Sequence, residues 1–358
     1  MHSRMLGLLA LGTAIGAVAA AGVVSVPAQA QELKTINFIT SNNHSCGNYP
    51  QFVGPALGLA EAQGLAFNSM NSETTVPFIA FLDTKDADFV MLDSAQVLQV
   101  GDKDQPHRVV YEVYTFATEG IVVPADSPIE DLTGLKGTTI GLASDRDQIT
   151  TIMTLDVIGE TLESYEIETV VVGDSGPVMA NALSSGQIDA FAGGSSDRGN
   201  IIAAGVQIRN ITPLKVSENP ANNWTMAQAR FDEGFAVPFL KAWSQSQLSG
   251  IMDTKAIASI CKESVPEQWE NPAVGEKIVV DQVYTYQVQR SLKRGELRPW
   301  VWEGIQGPYI KIGEISGPVP MDKILDDRFI NDANDYTTAE VAAAIQAWKD
   351  ANPEKLIP

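Results

Sequence analysis

The residues best placed to do chemistry form short polar clusters, each following an apolar run. Ser41, Asn42, Asn43 and His44 follow residues 34–40, and Asp93-Ser94 follows residues 87–92. Ser144-Asp145-Arg146-Asp147 follows residues 138–143, and Gly193-Gly194-Ser195-Ser196-Asp197 follows residues 188–192. Hydroxyls, amides and carboxylates at such positions, beside the unpaired N–H groups of a helix start, can hold an oxygen- or nitrogen-rich ligand without covalent chemistry. The candidate ligand contacts are therefore Ser41, Asn42, His44, Asp93, Ser94, Ser144, Asp145, Arg146, Gly194, Ser195 and Asp197. Arg146 would add a bidentate contact to a carboxylate or sulfonate, and Gly194 would let backbone approach closely. Each also has a plainer reading. Ser144, Asp145, Asp93 and Ser94 suit helix caps. Arg146 suits a surface ion pair, His44 a solvated turn, and the Gly pair a hinge turn.

Several function classes find no support. There is no Gly-x-Ser-x-Gly, no His-Glu-x-x-His and no phosphate loop, and the many Asp/Glu pairs have no distinctive spacing. No enzyme activity and no cofactor are expected. Cys46 and Cys261 are the only cysteines of 358 residues, without a Cys-x-x-Cys, so a metal site is not expected either. Whether the two form a disulfide is left open, since spacing in sequence does not fix the distance between their Cα atoms. The formal charge of −20 excludes a basic nucleic-acid face. Screening over about 10 Å makes that overall charge uninformative about the sign of a ligand.

The elements that must position the clusters alternate. Residues 129–200 read as a βαβαβ unit, whose parallel strands present their carboxyl ends to one side. Residues 34–40, 87–92, 108–116 and 119–123 read as strands of a first lobe, with helices over 50–63, 75–83 and 95–100. Helices are expected over 230–246, 253–262, 276–292 and 338–349, and residues 295–320 receive no assignment. Residues 82–94 and 183–195 echo each other: helix end, polar turn, Asp, apolar strand, terminal Ser. This points to two similarly built lobes around one cleft. The expected division is 31–123 for the first lobe, 124–212 for the second, and 213–358 returning to the first. Trp224, Trp269, Trp300 and Trp302 are read as packing residues. At the N-terminus, His2 and Arg4 precede an apolar run ending in Pro27-Ala28-Gln29-Ala30, the pattern of a signal peptide cleaved after Ala30.

Several of these stretches resemble a known family. Asp131-Leu132, with Lys136-Gly137 and Ile140-Gly141 after it, is similar to a "DLKGKKIG" signature with extra residues inserted. Ala182-Leu183, Gly186, Ile188-Asp189-Ala190 is similar to "AL-x-x-G-x-(V/I)-DA". Residues 57–65 resemble a helix motif whose usual aromatic is missing here, and residues 329–334 resemble the terminal segment. Together they resemble the nitrate/sulfonate/taurine-type substrate-binding proteins of ABC importers, a group shared with thiamine-pyrimidine binding proteins. The resemblance is strongest over 130–194. It implies an α/β, two-lobed type II periplasmic binding protein with two crossover strands and a helical C-terminal part on the first lobe. It further implies a periplasmic monomer that binds a small polar organic ligand, anionic or zwitterionic, and works with a membrane ABC permease. A sensor module for a membrane receptor or kinase, and a secreted enzyme on the same scaffold, are the alternative readings. The thiamine-pyrimidine synthases of the group carry a Cys-rich motif that this chain lacks.

Overall fold

The computed structural model describes residues 32–358, apart from 42–44, 73, 75, 116, 118, 174 and 288–290, and apart from the side chains at 146, 195, 196 and 203. The expected signal peptide, Asn42, His44, and the side chains of Arg146 and Ser195 thus lie outside the described residues.

Among the described residues there are ten strands: β1 (Lys34–Ile39), β2 (Leu65–Ser69), β3 (Phe89–Leu92), β4 (His107–Glu112), β5 (Gly120–Pro124), β6 (Thr139–Leu142), β7 (Glu168–Val171), β8 (Ala190–Gly193), β9 (Ile208–Asn210) and β10 (Asn223–Ala227). They form two five-stranded sheets of the same plan, in the orders β2-β1-β3-β10-β4 and β7-β6-β8-β5-β9. In the first, β1 runs parallel to β2 and β3, while β10 is antiparallel to β3 and β4. In the second, β6 runs parallel to β7 and β8, and β5 is antiparallel to β8 and β9. The antiparallel strand in each fourth place enters from the other sheet. The chain passes from β4 to β5 through residues 113–119, and returns from β9 to β10 through residues 211–222. The two strands that echo each other in sequence, β3 and β8, hold the same central place in their sheets.

Side-chain alternation explains how the sheets pack. In β5, Ile121 and Val123 join one buried cluster with Ile140 and Leu155, while Val122 joins another with Met179, Leu183 and Phe191 on the opposite face. A strand has period two, so a sheet covered on both faces needs apolar residues at consecutive positions. The first sheet is covered on one face by an aromatic core. Phe89 stacks on Phe239 at 4.3 Å between centroids, and Trp224 meets Trp243 edge-on at 4.8 Å. Phe239 and Trp243 lie on the helix Ala236–Met252. Ile257 of the helix Thr254–Ser264 and Val341 of the helix Thr338–Ala351 complete the same core. The C-terminal helices therefore belong to the first sheet, as the sequence led us to expect.

Four assignments change. β5, read as closing the first lobe, lies in the second sheet, so the first passage precedes Gly120. Pro124 does punctuate the chain, but as the last residue of β5. The helix expected over 50–63 ends at Ala56, and a 3-10 turn Glu61–Gln63 follows. Gly64, in the left-handed region at φ 74°, then turns the chain into β2, a strand not read from the sequence. Residues 295–320 contain the helix Pro299–Lys311. Trp224, Trp269 and Trp302 are buried, whereas Trp300 is exposed. Cys46 and Cys261 are free thiols buried in the first-sheet core. Burial, with the Cys46 thiol beside it, holds the Cys261 thiol well above its ordinary range.

Candidate functional site

The ends of β1, β3 and β6 meet at one cleft of about 1320 Å3. The first sheet contributes Met91, Leu92, Asp93 and Ser94, and the second contributes Ser144, Asp145 and Asp147 after β6. Glu119 comes from the first passage, and Asn219, Pro220, Ala221 and Asn222 from the return passage. Tyr309 and Ile312 come from the C-terminal part. The cleft is thus built from every segment that links the two sheets.

Local hydrogen bonds fix each polar group. Asp93 caps the helix Ser94–Asp102: its Oδ1 accepts from Gln96 N at 2.8 Å, and Gln96 Oε1 accepts from Asp93 N at 3.1 Å. This reciprocal box satisfies two N–H groups that the helix start leaves open. Ser94 Oγ donates to the Pro220 carbonyl, tying the β3 end to the return passage. With its proton used there, the hydroxyl can only accept from a ligand. On the opposite wall, Asp147 Oδ2 accepts from Ser144 N at 2.8 Å and Ser144 Oγ at 2.9 Å, closing a 3-10 turn Asp145–Asp147 before the helix Gln148–Asp156. The capping acid of that turn is Asp147, reaching back, where the sequence suggested the pair Ser144 and Asp145. Ser41 Oγ accepts from Asn48 Nδ2 at 3.2 Å at the mouth of the cleft.

Of the residues predicted from sequence, Ser41, Asp93, Ser94, Ser144 and Asp145 come together along the cleft. Gly194 and Asp197 are not among its lining residues. There, Asp197 Oδ2 accepts from Gly194 N at 2.9 Å, a local cap for the helix Ser195–Ala203. Sequence reasoning missed Gln96, Glu119, Asn222 and Tyr309. For Glu119 a faint signal existed, an acid immediately before an apolar strand that changes sheets. Tyr309 falls in the stretch that received no assignment.

Two buried groups in the cleft are held away from their ordinary ranges. Burial raises the Glu119 carboxyl above the usual range; the carboxylates of Asp93 and Asp147 add to this, while the Arg198 guanidinium opposes it. Burial likewise holds the Tyr309 hydroxyl well above its ordinary range, with Asp93, Glu119 and Glu314 adding to the effect. Glu119, in the first passage, is thus acted on by one carboxylate after β3 and another after β6. The described residues contain no group of three or more His, Cys, Asp or Glu arranged to hold a metal ion.

Comparison with known proteins places this geometry. The fold is similar to that of the periplasmic aliphatic sulphonate binding protein SsuA from Escherichia coli, with TM-score 0.62 at 11% identity over 83% of this chain and 92% of that one. It is equally similar to a periplasmic sulfonate-binding protein SsuA from Methylobacillus flagellatus KT, with TM-score 0.62 at 17% identity over 85% and 94%. The desulfurization enzyme DSZB also shares it, with TM-score 0.56 at 18% identity over 84% and 98%. No curated protein matches the chain in sequence. The model of the NMT1/THI5 like family matches residues 47–222, the span that runs from the first loop at the cleft to the end of the return passage. Over that span the chain is similar to the NMT1/THI5 like family, and its two sheets have the architecture of periplasmic binding proteins.

Proposed function

We propose that this protein is an extracytoplasmic solute-binding protein that captures a small organic molecule in the cleft and delivers it to an ABC importer. The observation that carries the reading is the composition of the cleft: both sheets, both passages and the C-terminal part all line one space of about 1320 Å3. A ligand held there touches each lobe, so it binds the closed arrangement better than the open one and shifts the population toward closure. We assign the hinge to the two passages, residues 113–119 and 211–222. Ser41, Asp93, Ser94, Ser144 and Asp145 are the proposed contacts on the walls, with Asn42, His44, Arg146 and Ser195 retained as candidates from the sequence. The apolar N-terminal segment with its Ala28-Gln29-Ala30 pattern supports export to the periplasm. Among the described residues no helix is long and apolar enough to cross a membrane. The likeness to binding proteins of sulfonate importers supports the ABC permease as partner, with the binding protein acting as a monomer.

Isothermal titration of the purified protein with sulfonates, carboxylates, amines and pyrimidines tests capture. Saturable binding accompanied by compaction in small-angle scattering is the expected result. No binding across the panel, and no compaction with growth-medium extract, would contradict it. Because the desulfurization enzyme DSZB shares the fold, the bound compound is recovered and identified after incubation. Unchanged compound supports capture, and turnover supports an enzyme.

A further inference from the structure

Two nucleophilic side chains, far apart in sequence, take no part in the cleft. Cys46 opens the 3-10 turn Cys46–Asn48, and Cys261 lies near the C-terminal end of the helix Thr254–Ser264. Both are free thiols, fully buried in the same core. Backbone contacts bring them together there. Val265 N donates to the Cys261 carbonyl at 2.9 Å as the helix ends, and the 3-10 turn Pro266–Trp269 follows. Gln268 Oε1 in that turn accepts from Cys46 N at 2.9 Å. The Cys46 amide is thus fastened to the segment that directly follows Cys261, and the two thiols interact with each other. Further hydrogen bonds connect this point to the cleft. Ser45 Oγ accepts from Gly47 N at 3.0 Å, and Tyr114 Oη donates to Asn48 Oδ1 at 2.9 Å. Asn48 Nδ2 donates to Ser41 Oγ at the cleft mouth.

We propose that Cys46 and Cys261 form a disulfide in the exported protein, a cross-link that fastens the first loop of the cleft to the C-terminal helices. The inference rests on the export proposed above, because the oxidant is a protein or low-molecular-weight disulfide of an oxidising compartment. The thiolate of one cysteine attacks a sulfur of the oxidant, giving a mixed disulfide and releasing one thiolate. The thiolate of the second cysteine then attacks the mixed disulfide, forms the Cys46–Cys261 bond and expels the other half of the oxidant. The chain loses two protons and two electrons, and the oxidant becomes two thiols. Burial sets the timing. A thiol enclosed in an apolar core is a poor nucleophile, so exchange takes place during folding, before the turn docks on Gln268, and the finished bond is shielded from reductants. The ring closed by the link runs over residues 46–261 and contains β5 to β9, the whole second sheet. Both anchors belong to the first lobe, so the link restricts the unfolded chain and leaves the two passages free to bend.

Cells producing the full chain are quenched in acid, and the protein is denatured, alkylated with iodoacetamide and mapped by mass spectrometry with and without prior reduction. The expected result is no alkylation before reduction, and one linked pair of peptides carrying Cys46 and Cys261. Protein reduced in denaturant and refolded in mixed reduced and oxidised glutathione should regain the same link. Dithiothreitol should lower the Tm of the linked protein by about 5 °C or more. The double variant Cys46→Ala, Cys261→Ala should be indifferent to it. Two alkylated cysteines from cells, together with linkage in glutathione, would overturn the export and leave the pairing standing. Two alkylated cysteines under both conditions, or mixed disulfides alone, would overturn the pairing and leave capture in the cleft standing. A linked protein whose Tm ignores dithiothreitol would overturn the stabilising role of the link.

Discussion

At the scale of single residues, the best-defined polar group outside the cleft is the one that holds its frame. Glu112, fully buried at the end of β4, accepts from Arg298 Nε at 2.8 Å, from Arg298 N at 2.9 Å and from Trp302 Nε1 at 2.9 Å. Arg298 Nη1 in turn donates to the Glu218 carbonyl at 2.9 Å, in the return passage. Removing one partner leaves a buried charge uncompensated, which costs about 3–5 kcal/mol, far more than the net value of an intact pair. Glu112→Gln is therefore expected to lower stability by about 3 kcal/mol or more in urea unfolding, and Glu112→Gln with Arg298→Met to recover much of it. His107 supplies a pH dependence. It is buried, and burial lowers its pKa despite Asp83 at 3.1 Å, which acts in the opposite direction. The folded state thus resists protonation. This contribution is complete above the unfolded value of about 6.5 and is lost as pH falls from there toward the lowered folded value. Urea midpoints should decline between pH 7.5 and 5.5, and His107→Gln should flatten that decline. Among candidate contacts, the strand-end residues Asp93, Ser94 and Ser144 were legible because their pattern is local. Glu119 was not, because its partners Asp93 and Asp147 lie on different sheets and meet only through the passages.

At the scale of elements, Gly101 shows which of two effects wins. It lies in the helix Ser94–Asp102, where alanine is intrinsically favoured by about 1 kcal/mol. An added Cβ would run into the branched side chains of Val319 and Ile324. Overpacking of that kind costs about 1–3 kcal/mol, so Gly101→Ala is expected to destabilise slightly, by up to about 2 kcal/mol in thermal or urea unfolding. Stabilisation would show that the segment carrying Val319 yields. The same contact explains why residues 295–320 resisted reading. Their packing is set by distant partners, Gly101 for Val319 and Glu112 for Trp302, and not by a local period. β10 was equally opaque. Asn-Trp-Thr-Met-Ala has no alternation, because as the strand between β3 and β4 it is buried along nearly its whole length. Strands β1, β3 and β8 could be read because they are short apolar or β-branched runs bounded by turns.

At the scale of the whole molecule, the two-lobed plan followed from the order of elements and from the echo between residues 82–94 and 183–195. The exact points of passage depended on which sheet β5 joins, a pairing that no local pattern encodes. The plan has a mechanical consequence. The helix Pro299–Lys311 reaches across to the second lobe, where Lys311 pairs with Asp156 of the helix Gln148–Asp156. This pair is exposed, so it is worth at most about 1 kcal/mol and is weak enough to break when the lobes open. Lys311→Ala should leave the unfolding midpoint nearly unchanged and shift the unliganded protein toward the open arrangement, seen as a larger radius of gyration in small-angle scattering. An unchanged radius would mean that this contact does not bias closure.

The central claim, capture by closure in the cleft between the sheets, is tested most directly by small-angle scattering with and without a saturating bound compound, followed by recovery of that compound. The account predicts a smaller radius of gyration on binding, and a compound recovered chemically unchanged. Binding without compaction, or recovery of a converted product, would contradict it.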